Sequence, residues 1–330
     1  MVKPTRTVPS QRTQPEASSS SSPGAAGASS SGTKRGVPIK KKNIDLQTTT
    51  PLKFLLMFVM FVFKRFVFAP THIKIGIYSL LLLFCSLIKD FNLAYHRTYL
   101  AQKSNIFNVY FVKFGWFWTM LVTIPFVTMT SIVYTGGTMS LVRKNLLRLL
   151  VATIIWYSST SFFDYVDSRT GYCILSSFRT KIECKSNSYD WVNGFDISGH
   201  TFILMHSLFL MLEEAKVFNN WESLRKKIDE MVKKEAEDTD DQDQLTGYDR
   251  AQFWFHYLTP YIKFNFIVMA LLALLWEVML ITTFLYFHTI MHKLIAACAA
   301  ITAWFLTYQT WYLNKDYSPG MPGTGTDRLN

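Results

Sequence analysis

Apolar residues in this chain come in long runs of about 17 to 22, the length a helix needs to cross the hydrocarbon core of a bilayer. The chain is therefore expected to be all-α and polytopic. Six spans are read at 73–90, 109–130, 146–163, 198–213, 264–286 and 293–313. The fourth is short and carries His206, so it needs tilt, a thinned bilayer or protein neighbours. A further run, LKFLLMFVMFVFKRFVFAP, is interrupted by Lys64 and Arg65 and stopped by Pro70. It reads as an N-terminal interfacial amphipathic helix at 49–70 whose cations snorkel to headgroups, with a seventh span as the other option.

Composition supports this class. Of the 330 residues 49% are hydrophobic, and 27 Phe, 16 Tyr and 9 Trp are more aromatic surface than a water-soluble domain of this length carries. The net charge of +11 resides on Lys and Arg that flank apolar runs, so it points to lipid headgroups and topology and not to nucleic acid. Residues 1–48 are Ser-, Pro- and Gly-rich and are expected to be a disordered tail. The remainder reads as a transmembrane domain, 71–316, with an acidic loop at 215–258 and a C-terminal tail at 317–330. The basic KRGVPIKKK places the N-terminal tail in the cytosol, and parity then places the C-terminus there too. The loops at 91–108, 164–197 and 287–292 fall on the far side. VRKNLLR and LRKKIDEMVKK fall on the cytosolic side, as the positive-inside tendency expects, while Arg97 and Lys103 break the pattern.

Four cysteines are present. Cys85 and Cys298 lie inside apolar runs and read as core residues. Cys173 and Cys184 share one polar loop and are candidates for a disulfide if that loop faces an oxidising lumen. Glu277, in LLALLWEVML, is expected to be protonated or hydrogen-bonded to a neighbouring helix.

The chemistry-bearing feature is a pair of rim histidines. His200 lies at the start of the fourth span and His288 at the end of the fifth, which puts both at one membrane depth. Two imidazoles at one interface can divide a displacement at phosphorus: one attacks, the other protonates the leaving oxygen and later activates water. Ser198 and Gly199 open the fourth helix, whose N-terminal amides suit phosphate oxygens. Lys103, Arg97 and Lys113 are candidate cations, and Asp196 is placed to orient an imidazole. His206 reads as a buried hydrogen-bonding residue. His292 follows His288 by one turn, but no third ligand accompanies the pair, so no metal site is expected.

FDISGHTFILMHSLFLMLEE resembles the signature segment of the fat-storage-inducing transmembrane proteins of the endoplasmic reticulum. YLAQKSNIFNVYFVKFGWFWT, WYSSTSFF, LYFHTIMHKLI and WYLNKDYSPGMPG agree with it, in order, over about 75–323. The resemblance implies a lipid-phosphatase-like helical fold in the endoplasmic reticulum membrane. It implies cleavage of fatty acyl-CoA at its diphosphate on the lumenal face, yielding acyl 4′-phosphopantetheine and adenosine 3′,5′-bisphosphate, without a cofactor. It also implies binding of triacylglycerol and diacylglycerol and a part in lipid-droplet formation. The family's catalytic histidines map onto His200 and His288; by analogy with lipid phosphatases His200 is the acid and His288 the nucleophile. The phosphatase Lys-x6-Arg-Pro motif is absent, which leaves the phosphate-binding cations unassigned. The alternative from another class is a non-catalytic neutral-lipid binder, for which Asn92, Asn105, Asn108 and the aromatic second span would serve equally.

Overall fold

A computed structural model describes residues 51–91, 98–102, 104–175, 177–238, 247–314 and 317–323. The N-terminal tail, Asn92, His96, Arg97, Lys103 and the acidic run beyond Asp238 lie outside them. Nine α-helices occur among the described residues: α1 (Pro51–Val67), α2 (Thr71–Asp90), α3 (Gly115–Tyr134), α4 (Met139–Thr170), α5 (Lys181–Ser186), α6 (Gly199–Ala215), α7 (Trp221–Asp238), α8 (Gly247–Tyr286) and α9 (Ile290–Trp304). A π-helical stretch, Phe305–Trp311, continues α9. Two short strands, β1 (Tyr172–Cys173) and β2 (Trp191–Val192), pair antiparallel, with Tyr172 opposite Val192.

Five helices are long and apolar enough to cross a membrane: α2, α3, α4, most of α8, and α9 with its continuation to Trp311. Their outer faces stay apolar, as Ile73, Ile77, Leu80 and Phe84 on α2 show. The short segment between them is α6, 17 residues long. Every residue from Thr201 to Ala215 is buried. Protein neighbours therefore supply what its length lacks, since α2, α3, α4, α8 and α9 all pack on it.

Two helices run past the apolar segments that announced them. α4 continues beyond Phe163 to Thr170, so Asp164 and Asp167 are helical and not part of a loop. α8 begins at Gly247, well before the apolar run, and carries Pro260 inside it. The region read as the acidic loop 215–258 is thus largely helical. Its α7 has Trp221, Leu224 and Ile228 at helical spacing, and all three are buried. Trp221 stacks on Phe255 of α8 at 5.1 Å, and Gln252 donates to Asp229 at 3.0 Å.

The two glutamates that end α6 are wholly buried, and each is saturated with donors. Glu213 accepts from Thr71 of α2 at 2.7 Å, Trp304 of α9 at 3.0 Å and Lys216 at 2.7 Å. Glu214 takes a bidentate pair from Arg148 of α4, both bonds at 2.8 Å, and a hydrogen bond from Tyr308 at 2.8 Å. Arg148 also donates to Asn145 and to the Gly320 carbonyl. Glu277 is hydrogen-bonded to a neighbouring helix, as expected: it pairs with Lys74 of α2 at 2.9 Å, and the Tyr78 hydroxyl donates to the same oxygen. His206 hydrogen-bonds the Ala152 carbonyl through Nε2 at 3.0 Å and stacks between Trp116 and Phe202. Cys85 is buried as read, but Cys298 is exposed, on the outer surface of α9.

Removing one partner of a buried ion pair strands the other charge, at about 3–5 kcal/mol. Glu214→Ala is expected to lower the Tm sharply in detergent micelles. Glu222→Ala, whose partner Arg225 is exposed, should leave it nearly unchanged. Equal Tm values for the two variants would contradict this account of the bundle.

Candidate functional site

The end of the bundle opposite Glu213 and Glu214 holds the titratable cluster. α6 begins there because Ser198 caps it. The Ser198 side chain accepts from the Thr201 amide at 3.3 Å and lies 2.9 Å from the Thr201 hydroxyl. Ser198 is fully buried, so its hydroxyl serves the helix. The Ser198 amide donates to the carbonyl of His292 at 3.2 Å, which ties the start of α6 to the first turn of α9, just past the turn between α8 and α9. The turn between α8 and α9 contains His288, whose φ of 50° is the left-handed region that L side chains rarely adopt. The Lys89 ammonium, at the end of α2, donates to the His288 carbonyl and holds the turn from behind.

His200 is set from another direction. Asn105 caps the π-helical stretch Phe107–Val112, accepting from the Asn108 amide at 2.7 Å. Asn108 then places Oδ1 2.9 Å from His200 Nε2. With the amide oxygen toward the ring, Nε2 carries the proton and Nδ1 keeps the lone pair. Asn108, read from the sequence only as a lipid contact, is thus the residue that orients His200.

An open cavity of about 330 Å³ lies between the end of α4, the start of α6 and the α8–α9 turn. His200 and His288 both line it, together with Asp196, Gly199, Asp164, Asp167 and Lys181. A methyl group at Gly199 would meet nothing within 4 Å, so the helix start faces open space. The Asp196 carboxylate lies 3.5 Å from Nδ1 of His288, an electrostatic contact longer than a good hydrogen bond. Asp196 therefore serves His288, although it is nearer to His200 in sequence. Burial pushes the His288 imidazolium below its ordinary value and Asp196 opposes that, while His292, Lys89 and Lys293 add to the lowering. His292 itself turns its ring edge-on to Phe195.

The cavity's outer wall is the segment from β1 to β2. Cys173 and Cys184 are joined by a disulfide, with Cα atoms 5.8 Å apart. Lys181, at the start of α5, bridges Asp164 and Asp167 on α4, with Asp167 at 2.6 Å. Burial alone would lower the Lys181 ammonium, but the two carboxylates outweigh it and hold it above the usual lysine range. Trp191 donates to the Asp167 carbonyl at 3.2 Å, and the Phe195 amide donates to the Thr170 hydroxyl at 2.7 Å. Gly194 packs so closely on Asp167 that a Cβ would sit 1.9 Å from its carboxylate oxygen.

Of the residues proposed from sequence, the structure brings His200, His288, Asp196 and Gly199 to one cavity. Ser198 is beneath it as a cap, and Arg97 and Lys103 lie outside the described residues. Asp164, Asp167, Lys181 and Asn108 were not read as site residues. The one-turn spacing of Asp164 and Asp167 was the available signal, hidden by ending the helix with its apolar run. Among the described residues no group of three or more His, Cys, Asp or Glu is arranged to hold a metal ion.

Fold and site together define an all-α polytopic membrane protein with a two-histidine cavity at one end of its helix bundle. More specifically, the chain belongs to the FIT family: the model for fat storage-inducing transmembrane protein matches residues 96–168 and 163–308. It is similar to the Drosophila melanogaster protein named acyl-coenzyme A diphosphatase FITM2, with 35% identity over 285 residues, covering 84% of this chain and 67% of the relative. The Xenopus tropicalis protein of that name is 33% identical, covering 70% of this chain and 79% of its own length. The human one is 31% identical, covering 68% and 77%. No solved structure matches the chain.

A disulfide closing a loop of this size contributes roughly 3 kcal/mol to the segment it constrains. Reduction is expected to speed limited proteolysis between residues 174 and 190 while the transmembrane helices stay protected. Indifference of that segment to reductant would contradict the role given to the Cys173–Cys184 bond.

Proposed function

We propose that this chain is a fatty acyl-CoA diphosphatase that hydrolyses the diphosphate of its substrate to acyl 4′-phosphopantetheine and adenosine 3′,5′-bisphosphate. One observation carries the reading: His200 and His288, 88 positions apart, line a single cavity in which a carboxylate faces Nδ1 of His288. The names of the relatives agree with it.

In this reading Asp196 keeps the His288 proton on Nδ1 and leaves the Nε2 lone pair for attack on phosphorus. The P–O bond to the bridging oxygen breaks as the Nε2–P bond forms. His200 enters as the imidazolium, with Nε2–H held by Asn108 and its second proton on Nδ1; it gives the Nδ1 proton to the departing phosphate oxygen, and the phosphoryl half stays on His288. A water molecule, deprotonated by His200, then attacks that phosphorus and releases His288, so each turnover consumes one water. The N-terminal amides of α6 at Gly199 and His200 face developing charge on the phosphoryl oxygens. The acyl chain runs among the apolar outer faces of the helices while the diphosphate stays at the rim, which supplies proximity without dissolving the tail in water.

We further propose that the cavity lies on the lumenal side of the endoplasmic reticulum membrane, with both termini cytosolic. The disulfide beside the cavity suits an oxidising lumen, and Arg143 and Lys144 lie at the opposite end of α4 from Asp164 and Asp167. The second described cavity, near His206 between α4, α6 and α9, measures about 10 Å³. It takes a water molecule and not a glyceride.

Full-length protein in detergent is expected to convert oleoyl-CoA to the two named products, identified by mass spectrometry. His200→Ala and His288→Ala should each lower the rate by at least about 100-fold. Wild-type rates from either variant would refute the assignment.

The pH profile gives a second check. His288 must be neutral to attack and His200 protonated to donate, so kcat/KM should be bell-shaped, with the acid limb set by His288 and displaced by burial below the ordinary histidine range. Asp196 favours the protonated form. Asp196→Asn should therefore move the acid limb to lower pH while reducing the maximal rate, and a shift to higher pH would contradict the pairing.

A further inference from the structure

We propose that Lys181 is the cation that receives the substrate's diphosphate, presented by the disulfide-closed segment and parked on Asp164 and Asp167 until the substrate arrives. The inference rests on the reading above that the cavity takes a diphosphate, and it supplies the cation that no motif in the sequence assigns.

The cavity's charge makes the need plain. Its described lining carries three carboxylates, Asp164, Asp167 and Asp196, and two histidines, yet Lys181 is the one Lys or Arg among the described residues that line it. A diphosphate approaching three carboxylates is repelled unless a cation meets it. Lys113, whose charge reaches His200, does not line the cavity, and two other lysines nearby are committed elsewhere. Lys89 donates to the His288 carbonyl, and Lys293 donates to the Phe284 carbonyl at 2.7 Å. Neither lines the cavity.

Lys181 is built for exchange. An ammonium has three donors, and the two aspartates occupy two. The aspartates are unequal: the Asp167 side chain is 11% exposed and the Asp164 side chain 72%. An exposed ion pair contributes little and yields readily, so an incoming phosphoryl oxygen can replace Asp164 while Asp167 keeps the ammonium aimed. The scaffold around it is already ordered. Thr180 caps α5, accepting from the Glu183 amide at 3.2 Å, the Cys173–Cys184 disulfide closes the segment, and Trp191 anchors it on α4. Little side-chain freedom remains to be lost when the anion binds.

Binding of inorganic pyrophosphate to the full chain in detergent micelles, followed by calorimetry, tests this without turnover. Lys181→Gln should weaken binding roughly ten- to hundredfold, the loss of one charge-assisted hydrogen bond. Lys181→Arg should retain most of it. Asp164→Asn removes the competing carboxylate and should tighten binding, which distinguishes a binding role from a merely structural clamp. Unreduced peptide mapping and Tm confirm that each variant keeps the disulfide and the fold. The proposal is overturned if wild-type protein does not bind pyrophosphate, if Lys181→Gln binds as tightly as wild type, or if Asp164→Asn weakens binding along with it. Lys181-dependent pyrophosphate binding in a protein that leaves oleoyl-CoA intact would sustain the anion site and refute the diphosphatase reading.

Discussion

No side of α6 between Thr201 and Ala215 is open, so its polar groups must find partners inside the protein. That constraint organises the bundle. Glu213 draws a hydroxyl from α2 and an indole from α9; Glu214 draws a guanidinium from α4 and a phenol from the continuation of α9. Each bond fixes one neighbour's height and rotation against the central helix. Replacing such a cluster with apolar side chains of equal volume often costs nothing in stability. Its contribution is geometric: a helix sliding by one turn would leave a carboxylate unanswered.

The register set at that end is read out at the other, about 25 Å away along α6. There the helix start carries His200 and shares a backbone hydrogen bond with the first turn of α9, just after the turn that carries His288. The two imidazoles are thus positioned by main chain and not only by their own contacts. Lys89 behind the turn, Asn108 beside His200 and Asp196 beside His288 fix the rings further. A displacement at phosphorus needs such placement more than it needs strong individual groups.

Much of this was legible in the sequence. Counting spans put His200 and His288 at one depth, and the short fourth span announced a helix that needs neighbours. What escaped detection has a common cause. An apolar run measures the lipid it crosses and not the helix that crosses it. α4 keeps its hydrogen bonds for about two more turns past Phe163, and there presents Asp164 and Asp167. The charged pattern of α7 was equally visible in WESLRKKIDEMVKK, with Trp221, Leu224 and Ile228 at helical spacing, but its net polarity favoured a loop reading. Lys181 had no local signal at all, because its partners lie 14 and 17 positions away and only the folded segment brings them together. Cys298 was misread for a simpler reason: apolar surroundings in sequence do not distinguish a lipid-facing side of α9 from a protein-facing one.

The segment Ser318–Gly320 is buried, and the Gly320 carbonyl accepts from Arg148, the same guanidinium that grips Glu214. Helices emerge from a ribosome in order, and α6 is made more than a hundred positions before that carbonyl. Throughout the interval Arg148 and Glu214 can meet each other but not their last partner. The bundle therefore completes its polar network only after the Ser318–Gly320 segment has been made. Until then the early helices must wait in the translocation machinery or in lipid as a loosely assembled set, with the histidine-bearing rim still unformed.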